Sequence, residues 1–170
     1  MQELSDILNW RRWDARVTLS GQPTEAQLGE IKALGVTHVI NLGPHDNNGA
    51  LVDEAASVAV LGMEYVYSPV DFEQPTKADF DAFCHEMERL RGETLHVHCI
   101  YNARVSAFFY RFALEGRGGD VDMAFKLMDG IWRPGGVWAA FIGKPQDSDQ
   151  PNRYEGYEYN LRTSPSTKNL

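Results

Sequence analysis

Between Thr24 and Glu115 the chain alternates short apolar, β-branched runs with helices that carry their own start and stop signals, and this alternation narrows the possible folds most. Val36-Thr37-His38-Val39-Ile40-Asn41-Leu42, Met63-Glu64-Tyr65-Val66-Tyr67 and Thr94-Leu95-His96-Val97-His98 read as strands, being short, bounded and rich in apolar or aromatic residues. A helix precedes the first of them. Thr24 with Gln27 three residues on is a capping box, Leu28, Ile31 and Leu34 form one stripe, and Gly35 supplies the stop. Asp53 to Leu61 reads as a second helix, ended by Gly62. Thr76 with Asp79 opens a third, with Phe80, Phe83, Met87 and Leu90 on its apolar face and Gly92 after it. Arg104 to Glu115 is a very apolar helix, Asp120 opens another, and Gly135 to Ile142 forms a last one. Strands and helices joined by short loops pack as a parallel sheet wrapped by helices. The expected architecture is therefore α/β and three-layered, with a short, mostly parallel central sheet of four to five strands. Ligand sites in such folds lie beyond the carboxyl ends of the strands.

The 170 residues fit one domain, expected over 1–143, with an N-terminal arm over about 1–16 that carries Trp10 and Trp13. The composition changes after Gly143. In the polar tail 144–170 only Leu161, Leu170 and the tyrosines Tyr154, Tyr157 and Tyr159 have side chains suited to packing, so this segment is either draped on the domain or mobile. A net charge of −8 argues against a nucleic-acid or anionic-membrane role, which needs a basic surface. Two cysteines, Cys84 and Cys99, make no disulfide scaffold, and Met1 to Trp10 lacks a basic start and an apolar run. The expected setting is soluble, reduced and cytoplasmic, with no nucleic-acid or membrane partner; a protein partner is compatible with it.

One segment carries chemistry: Leu95-His96-Val97-His98-Cys99-Ile100-Tyr101-Asn102-Ala103-Arg104-Val105-Ser106. A buried strand ends in His98-Cys99, and a helix begins near Arg104. A helix start offers unpaired N–H groups and the positive end of a dipole, which bind anions and favour a thiolate. Arg104 adds a planar fork suited to a tetrahedral oxyanion. Asn102, mid-loop, suits a turn that needs a left-handed residue. Other features read more plainly. Cys84, beside Phe80 and Met87 on a helix, is a small buried hydrophobe, and Phe108, Phe109 and Phe112 are core. His96 is a satisfied polar residue beside the sheet. His85, His96, His98, Cys84 and Cys99 match no tight zinc spacing, so no metal and no cofactor are expected. Trp132-Arg133-Pro134-Gly135-Gly136 reads as a connection between helices, and Arg11-Arg12 as a solvated face.

The strand-His-Cys-loop-Arg-helix string resembles the cysteine-dependent protein tyrosine phosphatases, in particular their dual-specificity-like branch and a bacterial phosphatase-like subgroup within it. The resemblance runs from about Val17 to Ile142. It includes Ser20-Gly21-Gln22-Pro23-Thr24, Val39-Ile40-Asn41-Leu42 and Pro69-Val70-Asp71-Phe72. It implies a dual-specificity-phosphatase-like fold, a phosphatase-like domain, and hydrolysis of phosphomonoesters through a phosphocysteine. The substrate would be protein phosphotyrosine or a small phosphorylated molecule, with inorganic phosphate as product. Cys99 would be the nucleophile and Arg104 the phosphate clamp. Asp71 would be the general acid, with Asp46, Asp79 and Asp81 as rivals. Ile100, Tyr101, Asn102, Ala103, Arg104 and Val105 would form the phosphate-binding loop, His98 would tune the thiolate, and Ser106 would help the thiol leave. One departure stands out. The common family pattern has five residues between Cys and Arg; this chain has four, with Val105 at the usual arginine spacing. The shorter spacing also matches rhodanese-type sulfurtransferases. Three readings thus stay open: a phosphatase, a sulfurtransferase, and a catalytically weak or dead phosphate-binding module.

Overall fold

The first helix and the three strands that follow the same logic appear where capping and patterning place them in the computed structural model, which describes residues 1–154. In chain order the elements are β1 (Arg11–Arg12), β2 (Val17–Ser20), α1 (Glu25–Ala33), β3 (His38–Asn41), α2 (Glu54–Val60), β4 (Glu64–Tyr67), α3 (Lys77–Arg89), β5 (Leu95–His98), α4 (Ala103–Leu114), α5 (Val121–Lys126), β6 (Trp132–Arg133), α6 (Gly136–Phe141) and β7 (Arg153–Tyr154), with a 3₁₀ turn at Pro145–Asp147 before β7. Both capping boxes form. The Thr24 hydroxyl accepts from Gln27 N–H and the Thr76 hydroxyl from Asp79 N–H, while the Gln27 and Asp79 side chains return to the cap backbones. Asp53 and Asp120 cap α2 and α5 by the first of these bonds alone, accepting from the N–H groups of Ala56 and Met123. After α1, Gly35 takes a φ of +92°, the left-handed stop that a side chain would resist.

The main sheet has the order β1-β2-β5-β3-β4. β2, β5, β3 and β4 run parallel, and β1 pairs antiparallel with β2. β5 is central. Its register sets Ser20, His98 and Asn41 side by side, with Tyr67 next to Asn41, so four carboxyl ends finish in one row. Side-chain alternation along β5 then divides the chemistry between two faces. Leu95, Val97 and Cys99 join the larger core with Phe80, Phe83, Phe108, Phe109 and Trp138 from α3, α4 and α6. His96 and His98 point the other way, toward the layer of α1 and α2, whose core holds Trp10, Leu28, Ile31 and Val58. Three layers result, as the alternation of strands and helices implies.

Three segments gain definition beyond their reading in the sequence. Trp132–Arg133 is not a bare connection: as β6 it pairs antiparallel with β7, Trp132 opposite Tyr154. The segment from Lys144 to Tyr154 is draped on the domain, and Tyr154 is buried at the end of it. A two-residue strand has no period to read, which is why composition alone left it as tail. Arg11-Arg12 likewise forms the edge strand β1. Arg11 donates to the carbonyls of Leu127 and Asp129, and Arg12 pairs with Glu3. Tyr157 and Tyr159 lie outside the described residues.

Candidate active site

Cys99 follows the last residue of β5 and Asn102 caps α4, so the intervening turn joins the centre of the sheet to a helix start. Asn102 adopts φ +70°, ψ +14°, the left-handed conformation its side chain tolerates. The turn is pinned from outside at three successive carbonyls. His98 Nδ1 donates to Cys99 O at 2.9 Å, Gln22 N–H to Ile100 O at 3.0 Å, and Asn9 Nδ2 to Tyr101 O at 2.8 Å. In a planar trans peptide the N–H opposes the carbonyl of the preceding residue. The amides of Ile100, Tyr101 and Asn102 therefore turn away from those three anchors. Residue Asn102 in αL then leads into the first turn of α4, whose amides, Ala103 and Val105 among them, have no intrahelical acceptor. Successive N–H groups turned to one side ahead of a helix start make an anion-binding nest. Glycines bring the surroundings this close. A Cβ on Gly43 would sit 3.3 Å from Cys99 Cα, and one on Gly21 would sit 2.7 Å from Ile100 O.

Arg104 is buried, and its Nε donates to Val70 O at 2.8 Å. The guanidinium also lies over the Phe72 ring, 5.1 Å from its centre, and within electrostatic reach of the Cys99 side chain. Burial lowers the guanidinium's pKa, while the neighbouring Cys99 and Asp71 side chains oppose that shift. Arg104, Asp71, Asp46, Tyr67 and Glu73 line one open cleft of about 550 Å³. Cys99 is 0% exposed, so the guanidinium and not the sulfur faces the cleft. Asp71 is exposed at the lip, its Oδ1 accepting from Glu73 N–H at 2.9 Å. The backbone on either side of it is clamped: Arg104 holds Val70 O, and Trp138 Nε1 donates to Phe72 O at 2.7 Å. Of the rival acids, Asp46 lines the same cleft, Asp79 completes the cap of α3, and Asp81 pairs with Lys77.

Ser106 is buried one turn into α4. Its hydroxyl donates to Asn102 O at 2.6 Å and accepts from Trp132 Nε1 at 3.2 Å, so it braces the helix start. His98 is buried on the far side of the turn, where Nε2 meets Glu54 Oε2 at 2.5 Å. Nothing in the local sequence marks Glu54, which reads as an ordinary acid in the first turn of α2. Its only forerunner is the Ser-Gly-Gln-Pro-Thr stretch, whose Gln22 donates to Glu54 Oε1 at 2.6 Å. Among the described residues no group of three or more His, Cys, Asp or Glu side chains is placed to hold a metal ion. No helix among them is long and apolar enough to cross a membrane.

A central parallel strand that ends in a cysteine, an anion nest and a helix carrying an arginine defines the cysteine-dependent phosphatase fold. A phosphatase candidate of the DUF442 family from Shewanella putrefaciens CN-32 has the same fold at a TM-score of 0.73 and 33% identity, over 83% of this chain and 93% of that one. The chain belongs to this DUF442 family of phosphatase-like proteins. TpbA of P. aeruginosa, solved in complex with phosphotyrosine, shares the fold at a TM-score of 0.62 and 14% identity, over 92% of each chain. A beta-lactamase hydrolase-like protein of Agrobacterium fabrum is 29% identical over 110 residues. That match takes in 62% of this chain, which spans about a quarter (25%) of the Agrobacterium protein's length. No protein-family model matches the chain.

Proposed function

We propose that this protein is a phosphomonoesterase that works through a phosphocysteine on Cys99. The observation that carries the reading is the turn itself: three carbonyls tied outward, amides facing the other way, and Arg104 at the start of the helix that follows, lining the cleft beside Cys99. Membership of a phosphatase-like family supports it. In the first step the Cys99 thiolate attacks phosphorus and the P–O bond to the leaving group breaks. Asp71 gives its proton to the departing oxygen. In the second step water attacks phosphorus, the S–P bond breaks, Asp71 takes the water's proton and inorganic phosphate leaves. Amides and guanidinium stabilise the charge on the equatorial oxygens throughout. Cys99 is buried behind the cleft that Arg104 lines, so the turn must open toward the substrate before the sulfur attacks. The substrate is a phosphorylated protein side chain or a small phosphorylated molecule.

Turnover of p-nitrophenyl phosphate tests this. Cys99→Ser abolishes it, and Asp71→Asn lowers kcat by about 10²- to 10⁴-fold for an alkyl phosphate. Unchanged turnover in Cys99→Ser overturns the mechanism. Thiocyanate formed from thiosulfate and cyanide, with no phosphate released from any ester, makes the protein a sulfurtransferase instead.

A further inference from the structure

The pair beneath the candidate site, Glu54 and His98, is fully enclosed, the His98 side chain 0% and the Glu54 side chain 1% exposed. Each ring nitrogen of His98 faces an acceptor: Nε2 faces the Glu54 carboxylate and Nδ1 faces Cys99 O. A neutral imidazole has one N–H and one bare nitrogen, so it can serve only one of these contacts. Gln22 donates to Glu54 Oε1, leaving Oε2 to His98. Burial favours the neutral carboxyl, yet the charge and hydrogen bond of His98 outweigh it and hold Glu54 below the ordinary carboxylate value. The neighbouring histidine behaves differently. Ser20 Oγ donates to Gly21 O and so accepts from His96 Nε2, while Thr18 donates to His96 Nδ1. That ring is neutral with both nitrogens satisfied. Two histidines, two residues apart on one strand, thus face different partners: hydroxyls around His96, a carboxylate and a carbonyl around His98.

We infer that Glu54 is a positioning residue for the Cys99 nucleophile, holding His98 as a doubly protonated imidazolium whose charge and Nδ1–H fix the base of the anion-binding turn. This deepens the phosphatase reading and rests on it. The ionised pair puts its positive end next to the Cys99 peptide and its negative end one ring further away, in the α2 layer. Other charged or titratable groups surround this axis. Tyr65 on β4, whose hydroxyl bonds Asn41 and His45, and His45 itself, in the loop after β3, lie within the field of Glu54. His96 stacks on His98 within β5, at 6.3 Å between ring centres. Arg104 on α4, with Asp71 and Tyr154 near it, faces Cys99 from the other side. Of these, Glu54 alone bonds the His98 ring.

Two measurements test the inference, and neither needs turnover, so they fail or succeed apart from the phosphatase reading. In wild-type protein, nitrogen NMR of the His98 ring should show both nitrogens protonated at neutral pH, while His96 carries one proton. In Glu54→Gln, an isosteric change that keeps a hydrogen-bonding group at this site, His98 should lose its second proton. The midpoint of the ultraviolet thiolate titration, read against Cys99→Ser, should then move up by about one pH unit, a tenfold change in proton concentration. A His98 ring with a single proton in wild type overturns the inference, and so does a folded Glu54→Gln protein whose thiolate titration superimposes on wild type. The second outcome, accompanied by a lower melting temperature, would leave Glu54 a purely structural role. Where Glu54→Gln does not fold, the wild-type ring spectrum decides.

Discussion

Asn9 and Asn102 clasp the turn after Cys99 on its outer side. Asn102 Nδ2 donates to Asn9 O at 2.8 Å, Asn9 Nδ2 donates to Tyr101 O at 2.8 Å, and both residues are left-handed, with φ of +70° and +51°. The N-terminal arm is therefore part of the site's scaffold. Leu4, Ile7 and Trp10 bury it against α1, and the two asparagines connect it to the turn after Cys99. Left-handed backbone costs an ordinary L-residue about 1–2 kcal/mol, so asparagine at both positions keeps that cost small while it supplies the bonds.

Replacing Asn102 separates these two contributions. Asn102→Gly loses the bond to Asn9 but relieves the backbone; Asn102→Ala loses the bond and adds strain. The alanine variant should be less stable than the glycine variant by about 1 kcal/mol, seen as a melting temperature about 2–4 °C lower. Equal melting temperatures would remove strain from the account of this turn.

Glycine substitutions should differ in sign by position. A Cβ on Gly21 meets Ile100 O and the Leu8 side chain at 2.7–2.9 Å, so Gly21→Ala must displace the turn. It should destabilise by about 1–3 kcal/mol and weaken phosphate binding. Gly29, inside α1, has nothing within 4 Å of its would-be Cβ. Gly29→Ala should stabilise by about 0.5–1 kcal/mol. Denaturant titration of the two variants checks both directions.

Stability should fall in acid through His96. Burial first, and the charge of His98 second, hold its pKa well below the ordinary 6.5. The folded ring stays neutral where the unfolded one takes up a proton. The contribution is thus complete above 6.5 and is lost as pH falls below it, by up to about 1.4 kcal/mol per pH unit. His96→Gln should flatten the stability profile between 6.5 and the ordinary glutamate value of 4.5, below which the depressed Glu54 carboxyl adds its own acid sensitivity. An unchanged slope in that window would contradict the assignment.

Arg104 should not be replaceable by lysine. Its Nε is occupied by Val70 O, so one side of the planar fork orders the Asp71 loop while the rest of the guanidinium lines the cleft beside Cys99. A lysine has no planar fork and cannot serve both sides at once. Arg104→Lys should weaken phosphate binding by about 10- to 100-fold, the equivalent of one charge-assisted contact at roughly 1.5–3 kcal/mol. Calorimetry with inorganic phosphate reads this, and near wild-type affinity would show that the guanidinium is no clamp.

Most of the architecture was legible because it rests on local signals. The capping boxes at Thr24 and Thr76, the stop at Gly35 and the β-branched run around Val39 are each contained in a few residues, and the left-handed turn at Asn102 shows through its residue type. Cys99 and Arg104 were legible for the same reason: strand end, turn and helix start are consecutive. Glu54 was not. Its pairing with His98 joins residues 44 apart in sequence through the stacking of α2 on the sheet, and an acid in a first helical turn already has a local explanation. β6 and β7 stayed hidden because strands of two residues have no alternation, and no local pattern marks the pairing of Trp132 with Tyr154. The burial of Cys99 beside a cleft lined by Arg104 could not be read either, since it depends on where Val70 O and the Phe72 ring place the guanidinium.

The central claim is that Cys99 carries the phosphoryl group. Rapid acid quenching during p-nitrophenyl phosphate turnover, followed by peptide mass analysis, measures it directly. The account predicts one added phosphoryl group on the peptide containing Cys99, more of it in Asp71→Asn where the second step slows, and none in Cys99→Ser. Phosphate released at the wild-type rate with no phosphorylated Cys99 at any quench time, or a phosphoryl group found on another side chain, would contradict it.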